Sequence, residues 1–274
     1  MTLGKKRKNS MNSNSVDAVF AALPAQPLTV SAKGKTMYNE AERVSNQRRY
    51  QVKVLAINGS PRKKWNTATL LEKALEGAAS LGAETELVHL YDLDYKGCTS
   101  CFACKLKGGK SYGKCAMNDG LTPILERIAD VDAFLLGSPI YFGTVTGEMK
   151  SCMERLFFPY LTYTRPPGTL FDRKIPTAFI YTMNVPEHLM KEYCYPVHIG
   201  LNESILSRTF GQAESLCCFE TLQFEDYDKV VFSYFDPEER RERHRTVFPE
   251  DCRKAFALGA RLAQTVAAGT HESP

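Results

Sequence analysis

Cysteine stands at 98, 101, 104 and 115 in CTSCFACKLKGGKSYGKC, with two, two and ten residues between successive thiols. Sulfur at this density has few uses: Cys98, Cys101, Cys104 and Cys115 could ligate a [4Fe–4S] cluster or zinc, form a redox-active disulfide, or sit in a metal-free loop. The pattern disfavours zinc, whose structural sites pair two Cys-x2-Cys units rather than running three in series. The long spacer forbids nothing. Doubling a loop costs about 0.6 kcal/mol, and ten residues reach roughly 30 Å. Lys105, Lys107, Lys110 and Lys114 surround the thiols, and a cationic setting favours thiolate. On the residues alone, cluster, zinc, disulfide and metal-free loop all stay open. The remaining cysteines read as structural. Cys217 and Cys218 are adjacent in a predicted strand and point to opposite faces. Cys152, Cys194 and Cys252 are isolated, and a lone cysteine behaves as a small buried apolar residue.

Three other stretches carry chemistry. NGSPRKKWNTATL (58–70) is neither a Walker loop nor the Gly-x-Gly-x-x-Gly dinucleotide fingerprint. It offers Ser60, Asn66 and Thr67, with backbone N–H groups where a helix begins, which suits a terminal phosphate. An ordinary capped turn, with Asn66 or Thr67 as N-cap, is the plain alternative. SPIYFGTVTGEMK (138–150) sets Tyr141 and Phe142 between Pro139 and Gly143, giving a planar ring stacking area and nearby backbone hydrogen bonds. TMN (182–184) follows another strand and could close the far end of the ring. One loop for a phosphate and two for a heterocycle on one sheet edge is a geometry that fits FMN. No acid–base dyad or nucleophile triad has recognisable spacing, so no catalytic side chain is assigned; a flavin would carry the chemistry. His89 lies on a buried strand, and His188, His198 and His244 have no recurrent partner.

The elements that must position these loops follow from periodicity. VKVLAI (52–57), ETELVHL (84–90), AFLLGS (133–138), PTAFIYTM (176–183) and SLCCFETLQF (215–224) read as strands. Leu71, Ala74, Leu75 and Ala78 predict a helix over 67–81 closed by Gly82, and Leu121, Ile124, Leu125 and Ile128 a second one. Helices are also predicted over 147–158, capped by Thr146, over 187–210, and around Ala255, Leu258, Leu262 and Val266. Strand–helix alternation implies right-handed crossovers and a parallel, doubly wound sheet, with ligands beyond the carboxyl ends of its strands.

Charge is uneven. Residues 1–50 hold nine Lys/Arg against three Asp/Glu, and the rest of the chain 26 against 28. Residues 1–50 are therefore expected to form a basic, disordered leader, and 51–270 the folded domain. The globular part lacks a nucleic-acid footprint. No apolar run of 18 residues exists to span a membrane, and the short Val19–Leu23 run does not make a secretory signal. Cytoplasm is the expected compartment.

INGSPRKKWNTATL, CTSCFAC, DGLTPILERI, DAFLLGSPIYFGTVTGEMKSCMERL and FPEDCRKAFALGARLA together resemble the flavodoxin-like NAD(P)H-dependent FMN reductases, in the branch that includes the iron–sulfur flavoproteins. The resemblance covers about residues 52–267. It implies a flavodoxin-like five-stranded parallel sheet, order 2-1-3-4-5, in a homo-oligomer (dimer or tetramer) that passes electrons from NAD(P)H through FMN to an acceptor. Ser60, Arg62, Asn66 and Thr67 would take the phosphate, and Pro139, Ile140, Tyr141, Phe142 and Gly143 the isoalloxazine, with Thr182 and Asn184 at its other end. Cys98, Cys101 and Cys104 match the branch's first cluster ligands; Cys115 departs from it in spacing. Residues 185–248 are expected to form a lid or oligomer surface. The rival readings are a cluster-containing electron carrier and a flavin-binding regulatory protein acting through residues 1–50.

Overall fold

Three runs that are apolar on both faces build the centre of the sheet: β1 (Lys53–Asn58), β3 (Ala133–Tyr141) and β5 (Thr177–Thr182). Such runs suit a parallel sheet covered on both sides. β2 (Glu84–His89) and β6 (Ala213–Cys218) are only partly buried and form its edges. The order is β2-β1-β3-β5-β6, all parallel, and a two-residue β4 (Thr144–Val145) pairs antiparallel with β3. The expected order therefore holds, with six strands rather than five. The extra strand escapes periodicity because two residues cannot show one.

The computed structural model describes residues 51–269; the predicted basic leader at 1–50 lies outside them. Side chains alternate between two cores. Leu55, Ile57, Phe134, Leu136, Phe179 and Tyr181 pack under α2 (Thr122–Asp130), α3 (Gly147–Phe157) and α4 (Tyr195–Phe210). Val54, Ala56, Ala133, Leu135, Ala178 and Ile180 pack under α1 (Asn66–Ala79) and α6 (Phe248–Gly269). α1 and α6 cross so closely that a Cβ on Gly259 would stand 1.7 Å from the Ala74 carbonyl oxygen, and one on Gly77 1.9 Å from that of Phe256. Among the described residues no helix is long and apolar enough to cross a membrane.

Two predicted elements differ, and one helix was not predicted. The helix expected over 187–210 is a 3-10 turn, Glu187–Leu189, then α4 from Tyr195. Cys194 takes φ +57 between them, and Pro196 fits only the first turn of a helix. The last strand ends at Cys218 rather than 224, and Glu220 at φ +50 turns the chain out of the sheet. The charged stretch after it holds α5 (Pro237–Thr246), where buried Arg240 pairs with Glu220 at 2.7 Å and lies 3.9 Å over the Phe235 ring.

Candidate cofactor site

Parallel strands bring the carboxyl ends of β1, β3, β5 and β6 to one edge, with the switch in strand order between β1 and β3. The first two marked loops are tied together there. The Gly59 N–H donates to Gly137 O at 2.8 Å, and the Thr146 hydroxyl donates to Gly59 O at 2.6 Å. Thr146 also caps α3 by accepting from the Met149 N–H at 3.2 Å, as expected. Gly59 must lack a side chain, since a Cβ there would meet Met149 Cβ at 2.7 Å.

One cavity joins all three loops. Its walls include Ser60, Arg62, Asn66, Thr67, Pro139, Ile140, Tyr141, Thr182 and Asn184, nine of the eleven residues predicted to hold a cofactor. Phe142 and Gly143 are not among its walls. They form the tip of the β3–β4 hairpin, where Phe142 is fully exposed at φ +49 and Gly143 takes φ +84. Neither Asn66 nor Thr67 is the N-cap of α1. Trp65 holds that position with no side-chain cap, so first-turn N–H groups are left without intrahelical acceptors. The two side chains are used elsewhere: Thr67 and Thr182 hydroxyls lie 2.7 Å apart, and Asn66 Nδ2 donates to Leu222 O at 2.8 Å.

That last contact belongs to a segment the sequence reading missed. Thr221, Leu222 and Gln223 also line the cavity. Leu222 O accepts a second bond from Trp65 Nε1 at 2.9 Å, and Gln223 O accepts from Arg62. The segment acts through its carbonyls, which no side-chain motif marks. It narrows the cavity to about 150 Å³, below the roughly 300–1,000 Å³ of most cofactor pockets. Asn184 donates to Gln223 Oε1 of this segment at 3.1 Å, while its own Oδ1 is buried without a partner. A buried, unpaired amide oxygen costs about 1–3 kcal/mol. It suits a ligand N–H, such as the imide edge of an isoalloxazine.

Residues 52–187 match the NADPH-dependent FMN reductase family, from β1 through β5. This part of the chain is an FMN reductase domain. The domain's relatives include an iron-sulfur flavoprotein of Archaeoglobus fulgidus, 44% identical over 104 residues, covering 38% of this chain and 48% of that protein. An iron-sulfur flavoprotein of Methanocaldococcus jannaschii is 39% identical over 104 residues, covering 38% and 51%. The chain thus spans about half the length of these relatives. Among solved structures, an NAD(P)H:quinone oxidoreductase from Methanothermobacter marburgensis superposes with a TM-score of 0.55 at 17% identity, covering 77% of this chain and 99% of that one. An FMN-dependent NADH-azoreductase from Bacillus anthracis gives 0.54 at 13%, covering 77% and 99%. At these identities the likeness is one of fold. The reductase match stops at residue 187, so β6 and the Thr221–Gln223 segment lie beyond it.

The cysteine loop of the reductase domain lies between β2 and α2. Cys98, Cys101, Cys104 and Cys115 all line one small cavity floored by Glu154, Arg155, Phe158 and Pro159. The ten-residue spacer folds back on itself: the Gly113 N–H donates to Cys104 O at 3.1 Å. All four are free thiols. Among the described residues no three His, Cys, Asp or Glu side chains stand at ion-ligating spacing, so the thiols share a cavity without being drawn to one point. The expected cationic activation fails at Cys104. Burial pushes its thiol up against the smaller opposing pull of Lys105. Burial likewise lowers Lys105, whose Nζ donates to Pro159 O at 2.9 Å and to Leu161 O. Of the three isolated cysteines expected to be buried, Cys152 is, Cys252 is half-buried, and Cys194 is exposed. Cys217 and Cys218 do face opposite cores, and the Cys218 thiol donates to Asp251 Oδ2 at 3.0 Å.

Proposed function

We propose that the chain is an FMN-dependent oxidoreductase that takes electrons from NAD(P)H and passes them to an acceptor. The observation that carries this is the single cavity joining three loops that the sequence marks separately for phosphate and ring. Ser60, Arg62, Asn66 and Thr67 would hold the phosphate with the first-turn N–H groups of α1, whose positive end favours an anion. Pro139, Ile140, Tyr141, Thr182 and Asn184 would line the ring, with Phe142 and Gly143 at its open side. When bound, FMN would accept hydride from a nicotinamide and release electrons singly or in pairs. The residues supply binding and orientation: the Asn184 acceptor fixes the ring's edge, and the Thr67–Thr182 hydroxyl pair ties the phosphate loop to β5. Half-exposed Tyr141 and fully exposed Phe142 leave an apolar rim for a nicotinamide, or for a second copy of the chain in a cytoplasmic homo-oligomer. Anaerobic NADH or NADPH added to the FMN-loaded protein should bleach the flavin's visible band. A flavin that binds but stays oxidised with both donors would overturn the reading.

A second reading adds a [4Fe–4S] cluster and makes the protein an electron carrier. It is favoured by the four thiols lining one cavity and by the names of the relatives. Cys98, Cys101, Cys104 and Cys115 would hold the cluster, which would supply one-electron transfer. Iron and acid-labile sulfide after anaerobic purification, both lost in Cys101→Ala, support it; an iron-free protein after reconstitution refutes it.

A further inference from the structure

Leu222 and Gln223 line the cofactor cavity, and the phosphate loop itself holds them there. Trp65 Nε1 and Asn66 Nδ2 converge on one oxygen, Leu222 O, at 2.9 and 2.8 Å. One peptide further on, Gln223 O accepts from Arg62 Nη1. Three side-chain donors from residues 62–66 thus end on two neighbouring carbonyl oxygens. Two of those donors, Arg62 and Asn66, are side chains that the phosphate reading above also uses. The carbonyls therefore engage groups suited to an anion, and a charged oxygen makes the stronger acceptor for them.

The ends of the segment are fixed independently of those three donors. Before it, the Thr221 N–H and hydroxyl both donate to Met183 O, at 3.0 and 3.2 Å. After it, buried Tyr227 packs edge-on against Phe224 and Phe232, and its hydroxyl accepts from the Gln223 N–H at 3.1 Å. Asn184 adds one tie to the Gln223 side chain. Between these points Leu222 is half-buried and Gln223 exposed. Little apolar area holds the carbonyls down, so hydrogen bonds set their place. With the pair in place the cavity measures only about 150 Å³. A second, more open cavity of about 500 Å³ adjoins it, sharing Arg62, Trp65 and Gln223, and gives the pair room to lift.

We propose that Leu222 and Gln223 form a strap that competes with the cofactor's phosphate for Arg62 and Asn66, and that Trp65 is the residue that holds the strap. The proposal rests on the FMN reading above. With the strap closed, carbonyl oxygens satisfy all three donors. A phosphate gives Arg62 and Asn66 a charged acceptor in place of a neutral one, a bond roughly twice as strong, and the strap lifts. A flavin without the phosphate offers no such exchange and leaves the strap closed. Affinity for FMN is then that of the open state scaled by the fraction of chains that are open. Loosening the strap by one hydrogen bond raises that fraction, and tightens FMN binding, by about 2- to 12-fold.

Two variants loosen the strap from different sides. Trp65→Phe removes the Nε1 donor and keeps a ring; Tyr227→Phe removes the hydroxyl that holds the Gln223 N–H and keeps the packing. In fluorescence titrations each should bind FMN more tightly than wild type by that factor, with riboflavin binding unchanged. Trp65 is the chain's one tryptophan, so its indole N–H gives a single signal in a nitrogen-resolved magnetic-resonance spectrum. In wild type, inorganic phosphate should shift that signal and speed its exchange with solvent as the bond to Leu222 O breaks. Tyr227→Phe should reach the same end point at a lower phosphate concentration. An indole N–H that stays protected while FMN or phosphate binds would overturn the strap and leave the FMN reading intact. Folded variants that bind FMN no more tightly than wild type would do the same. A wild-type chain that binds neither FMN nor phosphate would overturn both.

Discussion

Asn66→Ala separates two roles that the structure gives one side chain. Asn66 Nδ2 carries two N–H groups, and one is committed to Leu222 O at 2.8 Å. Removing that bond should lower the stability of the cofactor-free protein by about 1 kcal/mol, or roughly 2–4 °C in Tm for a domain of this size. The second N–H is free for a phosphate oxygen, and a hydrogen bond to a charged group contributes about 1.5–3 kcal/mol. FMN affinity should therefore fall by about 10- to 150-fold, as read by quenching of FMN fluorescence on titration. Riboflavin, which lacks the phosphate, should bind wild type and variant alike. If Asn66 only latched the Thr221–Gln223 segment shut, the variant would bind FMN as tightly as wild type or tighter. That result, in a folded protein, would refute the phosphate assignment.

Two further outcomes follow from packing and burial. Gly259→Ala drives a methyl group to within 1.7 Å of the Ala74 carbonyl oxygen, so α1 and α6 must part; thermal unfolding should show a loss of roughly 1–3 kcal/mol, and an unchanged Tm would contradict the close crossing. Burial pushes the Cys152 thiol up to about 12 and the Cys217 thiol to about 11, from an ordinary 9.0. Below about pH 9 these thiols are neutral folded or unfolded, so their contribution is fully present. Above it the unfolded chain sheds protons that the folded chain retains, and stability falls by about 1.4 kcal/mol per pH unit for each until the folded values are reached. Tm should drop steadily between about pH 9 and 11, less steeply in Cys152→Ala; a flat profile would show that neither thiol is held neutral.

The central sheet was legible because β1, β3 and β5 are buried on both faces and so read as unbroken apolar runs. The three loops were legible because Ser60, Asn66, Tyr141 and Asn184 advertise their chemistry through side chains. What escaped acts otherwise. Leu222 and Gln223 reach the cavity through backbone carbonyls. Asn66 and Thr67 look like caps, but Trp65 takes the N-cap position and their side chains bond to Leu222 O and the Thr182 hydroxyl instead. The break in the 187–210 helix was also visible, since Pro196 allows a helix to begin just before it but not to run through.

The account's central claim is that the cavity between residues 60–67, 139–141 and 182–184 holds FMN. Acid release of the bound chromophore from freshly purified protein, quantified against the polypeptide, tests it most directly. The prediction is close to one FMN per chain, either as purified or after titration. A colourless protein that takes up no FMN in titration would contradict the claim.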